Sequence, residues 1–251
     1  MSRRIAFILA STDVGPMILN RLDFDTRTFG GVGLQILEQG NYEIGEIDGI
    51  GQILNALRQT RGPGVVAIDG GANIGTHTVA WAHGMRGWGN VIAVEPQERT
   101  FYALCGNIAL NNLSNARAFK AVLGREAGEM TIPELDHEKE TNFGGLSMDK
   151  PSDPGNAPMR QVKIRVMAID GLELVRLDLL KLDVEGMEPA ALGGAKETIG
   201  RCRPIIVAEH IQCGEAAIRL HLPDYELMNF GMNVVCIPQG DPIRKMVRVN
   251  K

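Results

Sequence analysis

From residue 65 onward, short apolar runs alternate with segments of helical period. "VVAID" (65–69), "VIAVE" (91–95), "ARAFKAVLG" (116–124), "LLKLD" (179–183) and "PIIVAE" (204–209) read as strands. Between them, residues 75–85 read as one helix, and Phe101, Leu104, Cys105 and Ile108 mark the face of a second that ends near "NN". Met187, Ala191, Ala195 and Ile199 mark a third. Strand–helix alternation of this kind predicts a parallel sheet. The tail, "MNVVCI" and "IRKMVRV" around the turn "PQGDP", predicts two last strands.

Two stretches depart from that rhythm. Residues 1–45 are glycine-rich and predict short strands and turns, the first within "RRIAFILA". Ile47, Ile50, Ile53, Leu54 and Leu57 then fall at helical spacing and stop at the breaker "RGPG". Between the third and fourth core strands, "EMTIPEL" reads as a hairpin arm and "QVKIRVMAI" as a half-exposed strand. The proline-rich 149–158 reads as a mobile loop. The expected organisation is an N-terminal extension over 1–60 packed on a cofactor-binding domain over 61–251.

Composition narrows the function. With 251 residues, 44% hydrophobic, the chain can build one sizeable α/β domain. A net charge of −4 supplies no global field to recruit nucleic acid or an anionic membrane. No run approaches the ~20 apolar residues of a membrane span. The four cysteines, Cys105, Cys202, Cys213 and Cys236, include no C-x-x-C pair and read as reduced thiols. The expectation is a soluble, cytoplasmic protein with a small-molecule partner; an oligomer stays open.

The chemistry begins at "AIDGGANIG" (67–75), where a strand meets a small-residue loop and a helix. A dinucleotide fingerprint would place glycine at 70, 72 and 75, but position 72 is alanine. Asp69 ends the strand beside that loop. It would repel a pyrophosphate by several kcal/mol at an effective dielectric of about 20. S-adenosylmethionine (SAM) carries a sulfonium and an ammonium instead, and its carboxylate suits the helix N-terminus at Thr76–Thr78. Glu95, at the second strand's end, suits the ribose hydroxyls of either cofactor. An NAD-dependent oxidoreductase is therefore one rival, and a SAM-binding module without turnover is another.

"IDGGANIGTHTVAWA", "VIAVEPQERTFYALCGNIALNN" and "DLLKLDVEGMEPAALGGAKE…RPIIVAEH" occur in order. With them, roughly residues 40–240 resemble the FkbM-type SAM-dependent methyltransferases. The resemblance implies a class I, Rossmann-like methyltransferase fold: a seven-stranded, mostly parallel sheet whose last strand is antiparallel. It implies methylation of hydroxyls on glycans, polyketides and other natural products, so the expected acceptor is a small or medium hydroxylated molecule. It also implies that Asp69, Gly71, Asn73 and Gly75 hold the methionine end, Glu95 the ribose, and backbone at Ala121 and Val122 the adenine. Ala72, Thr76, His77, Asn142 and Asp183 complete the expected cofactor set. "DVEG" stands where amino-methylating DNA enzymes carry a DPPY-like segment, which argues against a nucleobase amino group.

In open parallel sheets the site lies at the strands' carboxyl ends. The fourth and fifth strands deliver Asp183, Glu185, Glu209 and His210 there. A hydroxyl acceptor needs activation by a general base, for which His210 is favoured, or by a divalent cation on Asp183, Glu209 and His210. The latter set is similar to that of catechol O-methyltransferases, except that His210 replaces an amide and would suit Mn²⁺, Fe²⁺ or Zn²⁺. His77 and His137 are expected at solvated positions, His83 at a helix end and His221 in a structural role. Trp88 is expected in loop packing, and "NFGG" (142–145) in a site-facing loop.

Overall fold

In the computed structural model, residues 5–24, 30–140, 142–144 and 160–247 are described. The chain opens with an antiparallel hairpin, β1 (Phe7–Thr12) and β2 (Gly15–Asn20), then α1 (Val32–Gln39) and α2 (Ile44–Arg61). All five apolar positions marked in the sequence for α2 are buried. α1 was not expected; its Val32 and Ile36 are buried in the same core as α2.

The alternating region follows: β3 (Val65–Gly70), α3 (Thr76–Gly84), β4 (Gly89–Val94), α4 (Glu98–Leu110) and β5 (Ala116–Phe119). After β6 (Val122–Leu123), β7 (Gly128–Pro133) and β8 (Gln161–Met167), the core resumes with β9 (Leu179–Leu182), α5 (Glu188–Gly193) and α6 (Lys196–Cys202). β10 (Ile205–Glu209), α7 (Glu215–His221), β11 (Tyr225–Phe230) and β12 (Asn233–Pro238) finish it. The main sheet has the order β11-β12-β10-β9-β3-β4-β5. β12 is antiparallel to both neighbours, and the β10-β9-β3-β4-β5 ladders are parallel. This is the expected class I methyltransferase sheet. Among the described residues, no helix is long and apolar enough to cross a membrane.

Several details differ from the sequence expectation. "ARAFKAVLG" is not one strand: the chain breaks at Lys120–Ala121, and β6 leaves for a second sheet of order β6-β8-β7. The last two strands are β11 and β12; residues 242–245, inside "IRKMVRV" and its approach, form a 3-10 turn capped by Asp241. "YELMNF" escaped notice because its burial is mixed, whereas every residue of β12 is buried. The helix expected across Met187–Ile199 is two helices. Gly194 packs so tightly that a Cβ would lie 2.0 Å from the Gly124 carbonyl oxygen. Asp170 then accepts the Glu197 and Thr198 amides to start α6. The loop expected to be mobile, 149–158, lies outside the described residues.

A buried amide of α4 holds the N-terminal hairpin, and Asn111 at the end of α4 adds a bond from Nδ2 to the Pro16 carbonyl (2.9 Å). Asn107 Oδ1 accepts the Ile18 N–H at 2.6 Å, and its Nδ2 donates to the Ile18 carbonyl at 3.0 Å. Asn107 thus pairs with β2 as a neighbouring strand would.

Candidate functional site

Strand alternation builds the floor. Val65 and Ala67 of β3, Leu179 of β9, and Ile205 and Val207 of β10 face the core under α2 and α3. Two residues further on each strand, the same face presents Asp69, Lys181 and Glu209. Asp69 and Lys181 lie directly in register. Apolar strand bodies thereby end in charge at their carboxyl tips, beside the first turns of α2 and α3.

The loop after β3 takes its shape from three left-handed residues at alternate positions: Gly71, Asn73 and Gly75 (φ 77°, 50° and 90°). A Cβ on Gly71 would sit 1.7 Å from the Asp183 carbonyl oxygen, so only glycine lets the loop cross the end of β9. Ala72 is outside the left-handed set, which explains why a side chain is accepted there. The loop's amides are used internally. Gly71 and Ala72 N–H donate to the Val94 carbonyl (3.0 Å each), and Asn73 N–H donates to Glu95 Oε2 (3.0 Å). Ile74 N–H donates to Asn73 Oδ1 (2.7 Å), and Gly75 N–H to the Ala72 carbonyl (2.8 Å).

A cleft opens above this loop, enclosing about 950 Å³ of space that includes open solvent. Glu95 stands in its wall, with Oε1 also accepting the Gln97 amide at 2.8 Å. Burial pushes the Glu95 carboxyl up to about 7, against those two backbone bonds. At the other end, Lys181 is fully buried, with Nζ 3.0 Å from Asp183 Oδ2 and 4.0 Å from Glu46 Oε1. Burial alone would lower its pKa, but Asp183, Glu46 and Asp69 outweigh it and hold the ammonium above its ordinary range. Glu185, also in the cleft, is pushed up to about 8 by burial and by the charges of Asp183, Glu209 and Glu188.

The N-terminal segment supplies the facing wall: Val32, Tyr42 and Glu43 line the cleft. Burial, then the Glu43 and Asp183 charges, raise the Tyr42 hydroxyl pKa. Phe143 and Gly144 close the rim. Asp23 fixes them, accepting the Phe143 amide at 3.0 Å and the Gly33 amide at 3.3 Å.

The Methyltransferase FkbM domain model matches residues 69–227. The chain belongs to the FkbM methyltransferase family. No curated protein matches it. Among solved structures it is similar to the FkbM methyltransferase from Methylobacillus flagellatus KT, at 17% identity and a TM-score of 0.49. That similarity covers 69% of this chain and only 43% of the Methylobacillus chain. It is also similar to magnesium protoporphyrin IX methyltransferase from Synechocystis PCC 6803 with bound SAM (12% identity, TM-score 0.45, 76% of each chain). A third is an O-methyltransferase from Bacillus cereus in complex with SAH (15%, 0.43, 76% of this chain and 80% of that one).

In this FkbM chain, Gly71, Ala72, Asn73, Thr76, His77, Glu95, Ala121, Val122, Asp183 and Glu185 all line the cleft. Asp69 does not: it is buried behind the wall, with Oδ2 taken by Thr78 Oγ1 at 2.5 Å. Gly75 and Asn142 also stay out of the lining, Asn142 turning Oδ1 back onto the Gly144 amide. Glu209 and His210 lie outside it too. Among the described residues, Asp183, Glu209 and His210 are not gathered to ligand distance; the group that is gathered is Glu43, Glu46 and His77.

Two histidines expected in solvent are buried. His77 lies 3.3 Å from Glu46, and His137 packs between Phe7 and Phe143. Trp88 packs in its loop as expected, with Nε1 on the Gly84 carbonyl. Sequence reasoning passed over Lys181, although a lone cation in the apolar run "LLKLD" was a visible signal. It also passed over Tyr42, Glu43 and Glu46, which no local pattern ties to a site more than twenty residues further on.

Proposed function

We propose that the cleft binds SAM and transfers its methyl group to a hydroxyl of a small or medium acceptor, such as a sugar or natural-product alcohol. One observation carries the cofactor reading: every amide of residues 71–75 is already hydrogen-bonded within the protein. A pyrophosphate needs such amides free, so the loop disfavours NAD. SAM needs a ribose acceptor and a negatively charged surround, and Glu95 and Asp183 supply them. The backbone at Ala121 and Val122 faces the adenine end.

When bound, SAM supplies an electrophilic methyl on a sulfonium. The chain's part is alignment and proton removal. With both bound, transfer would join the methyl to the acceptor oxygen as the S–C bond breaks, its electron pair returning to sulfur, and the lining residues would hold the two in line. Glu185, which lines the cleft and accepts a hydrogen bond from Gln212 Nε2 on Oε2, would take the hydroxyl proton. It replaces His210 as the favoured base because His210 lies outside the lining. The net charge of −4 and the acid-rich cleft support an acceptor other than nucleic acid.

Calorimetry with SAM, SAH and NAD tests the cofactor: SAM and SAH should bind, and tight NAD binding without SAM binding would end the reading. Methyl-labelled SAM offered with a panel of sugars and alcohols tests turnover. SAM binding with no label transfer to any acceptor would favour a binding module.

A further inference from the structure

His77 Nε2 and Glu46 Oε1 are buried 3.3 Å apart, at ion-pair distance but without hydrogen-bond geometry. Against the upward push of burial, His77 is among the groups that hold the Glu46 carboxyl below its ordinary range. The His77 side chain is only 6% exposed and lines the cleft. Glu43, the residue that opens α2, offers a third donor, and one ligand atom from each of the three lies within 4.8 Å of the others.

That separation has a chemical meaning. Around an ion with ligand distances of about 2.1 Å, neighbouring ligand atoms lie roughly 3.0–3.4 Å apart. The His77–Glu46 spacing is already of that size. Glu46 is also held in orientation: Asn233 Nδ2 donates to its other oxygen at 2.8 Å, leaving Oε1 turned toward His77. His77 is held from the side by Trp81, whose ring meets the imidazole edge-on at 5.4 Å between centroids.

Local charge points the same way. Glu43, Glu46, Asp69 and Asp183 surround this end of the cleft, against the single ammonium of Lys181. That ammonium is closer to Asp183 (3.0 Å) than to Glu46 (4.0 Å). A divalent cation held here would lie among carboxylates that Lys181 and the His77 imidazole only partly offset.

We propose that Glu43, Glu46 and His77 form a divalent-cation site, one imidazole and two carboxylates, with room on the cleft side for an oxygen ligand. This donor set suits Mn²⁺, Fe²⁺, Co²⁺ or Zn²⁺ better than Mg²⁺ or Ca²⁺. An acceptor hydroxyl on the open position would be made more acidic. That role rests on the methyl-transfer reading; the site itself does not.

The test is titration of chelator-stripped protein with Co²⁺, followed by calorimetry and by the visible Co²⁺ spectrum. One ion per chain is expected. Glu46→Gln and His77→Gln should each weaken it by about 10–100-fold, a loss at least as large as outer ligand partners cause. His210→Gln should leave Co²⁺ affinity unchanged. A crystal of the unaltered protein soaked in Mn²⁺ should show an anomalous peak between the three side chains, which keeps the test valid if a variant fails to fold. No stoichiometric uptake, uptake unchanged in both variants, or a peak elsewhere would overturn the site. Mutual exclusion of Co²⁺ and SAH would assign the acids to the cofactor's ammonium and overturn it as well. SAH binding measured on the same sample separates the two readings: SAH bound without metal rejects only the ion, and metal bound without SAH rejects only the methyltransferase assignment.

Discussion

Lys181 Nζ and Asp183 Oδ2 lie 3.0 Å apart, one side chain fully buried and the other at the cleft's edge. The pair bridges the core under α2 and α3 to the cleft, because residues two apart share a face at the strand's end. Lys181→Met should remove the cation that Asp183, Glu46 and Asp69 share. Urea unfolding at pH 7 should show a loss of about 3 kcal/mol, the lower end for breaking a buried pair because Asp183 is partly solvated. The loss should shrink toward pH 4 as the carboxylates take up protons.

Glu95 should make stability pH-dependent. Burial raises its carboxyl from the ordinary 4.5 to about 7, so the folded chain holds its proton more tightly than the unfolded one. That contribution is full below about 4.5 and is lost as pH rises through about 7. Its size is on the order of 3 kcal/mol at one pKa unit per 1.36 kcal/mol. Denaturation of Glu95→Gln across that window should give a flatter profile. Ribose hydroxyls donate to the ionised form, so SAM affinity should rise through pH 7 in the parent and be lower by roughly 2–3 kcal/mol in the variant. Equal affinities at pH 8 would refute the ribose role.

Asp23 ties the cleft's rim to the N-terminal segment. Asp23→Ala leaves the Phe143 and Gly33 amides without their acceptor, at a cost of about 1–3 kcal/mol. Hydrogen exchange at these two amides should speed up, while exchange in β3 and β9 stays unchanged. Unaltered protection at Phe143 would show that packing against His137, not Asp23, holds the rim.

Glu185 should set the pH dependence of turnover. With its carboxyl near 8, the ionised fraction, and hence kcat, should rise with pH through that value and level off above it. Glu185→Gln should lower kcat by about 10²–10⁴-fold with little change in SAM affinity. Retained kcat would remove Glu185 as the base.

The alternating region from Val65 to Glu209 could be read from sequence because strand and helix periods are local properties. So could the loop of Gly71, Asn73 and Gly75, whose residue types are those that tolerate left-handed backbone. The acids at strand ends were visible for the same reason, and Glu95, Asp183 and Glu185 do line the cleft. Sequence did not settle which of them face it. Lys181 and Asp183 line it, whereas Asp69, on the face of Lys181, is buried against Thr78, and Glu209 and His210 at the end of β10 stay outside the lining. Nor could periodicity show that Gly194 meets Gly124 and breaks one helix into two, since that contact joins residues seventy positions apart. The N-terminal segment is the clearest case. Its sequence determined short strands with turns and an amphipathic helix, but only packing against α3, α4 and the sheet brings Tyr42, Glu43 and Glu46 to His77 and Lys181. Side-chain period reports which face of an element is buried; what that face meets is decided by the chain folding back on itself.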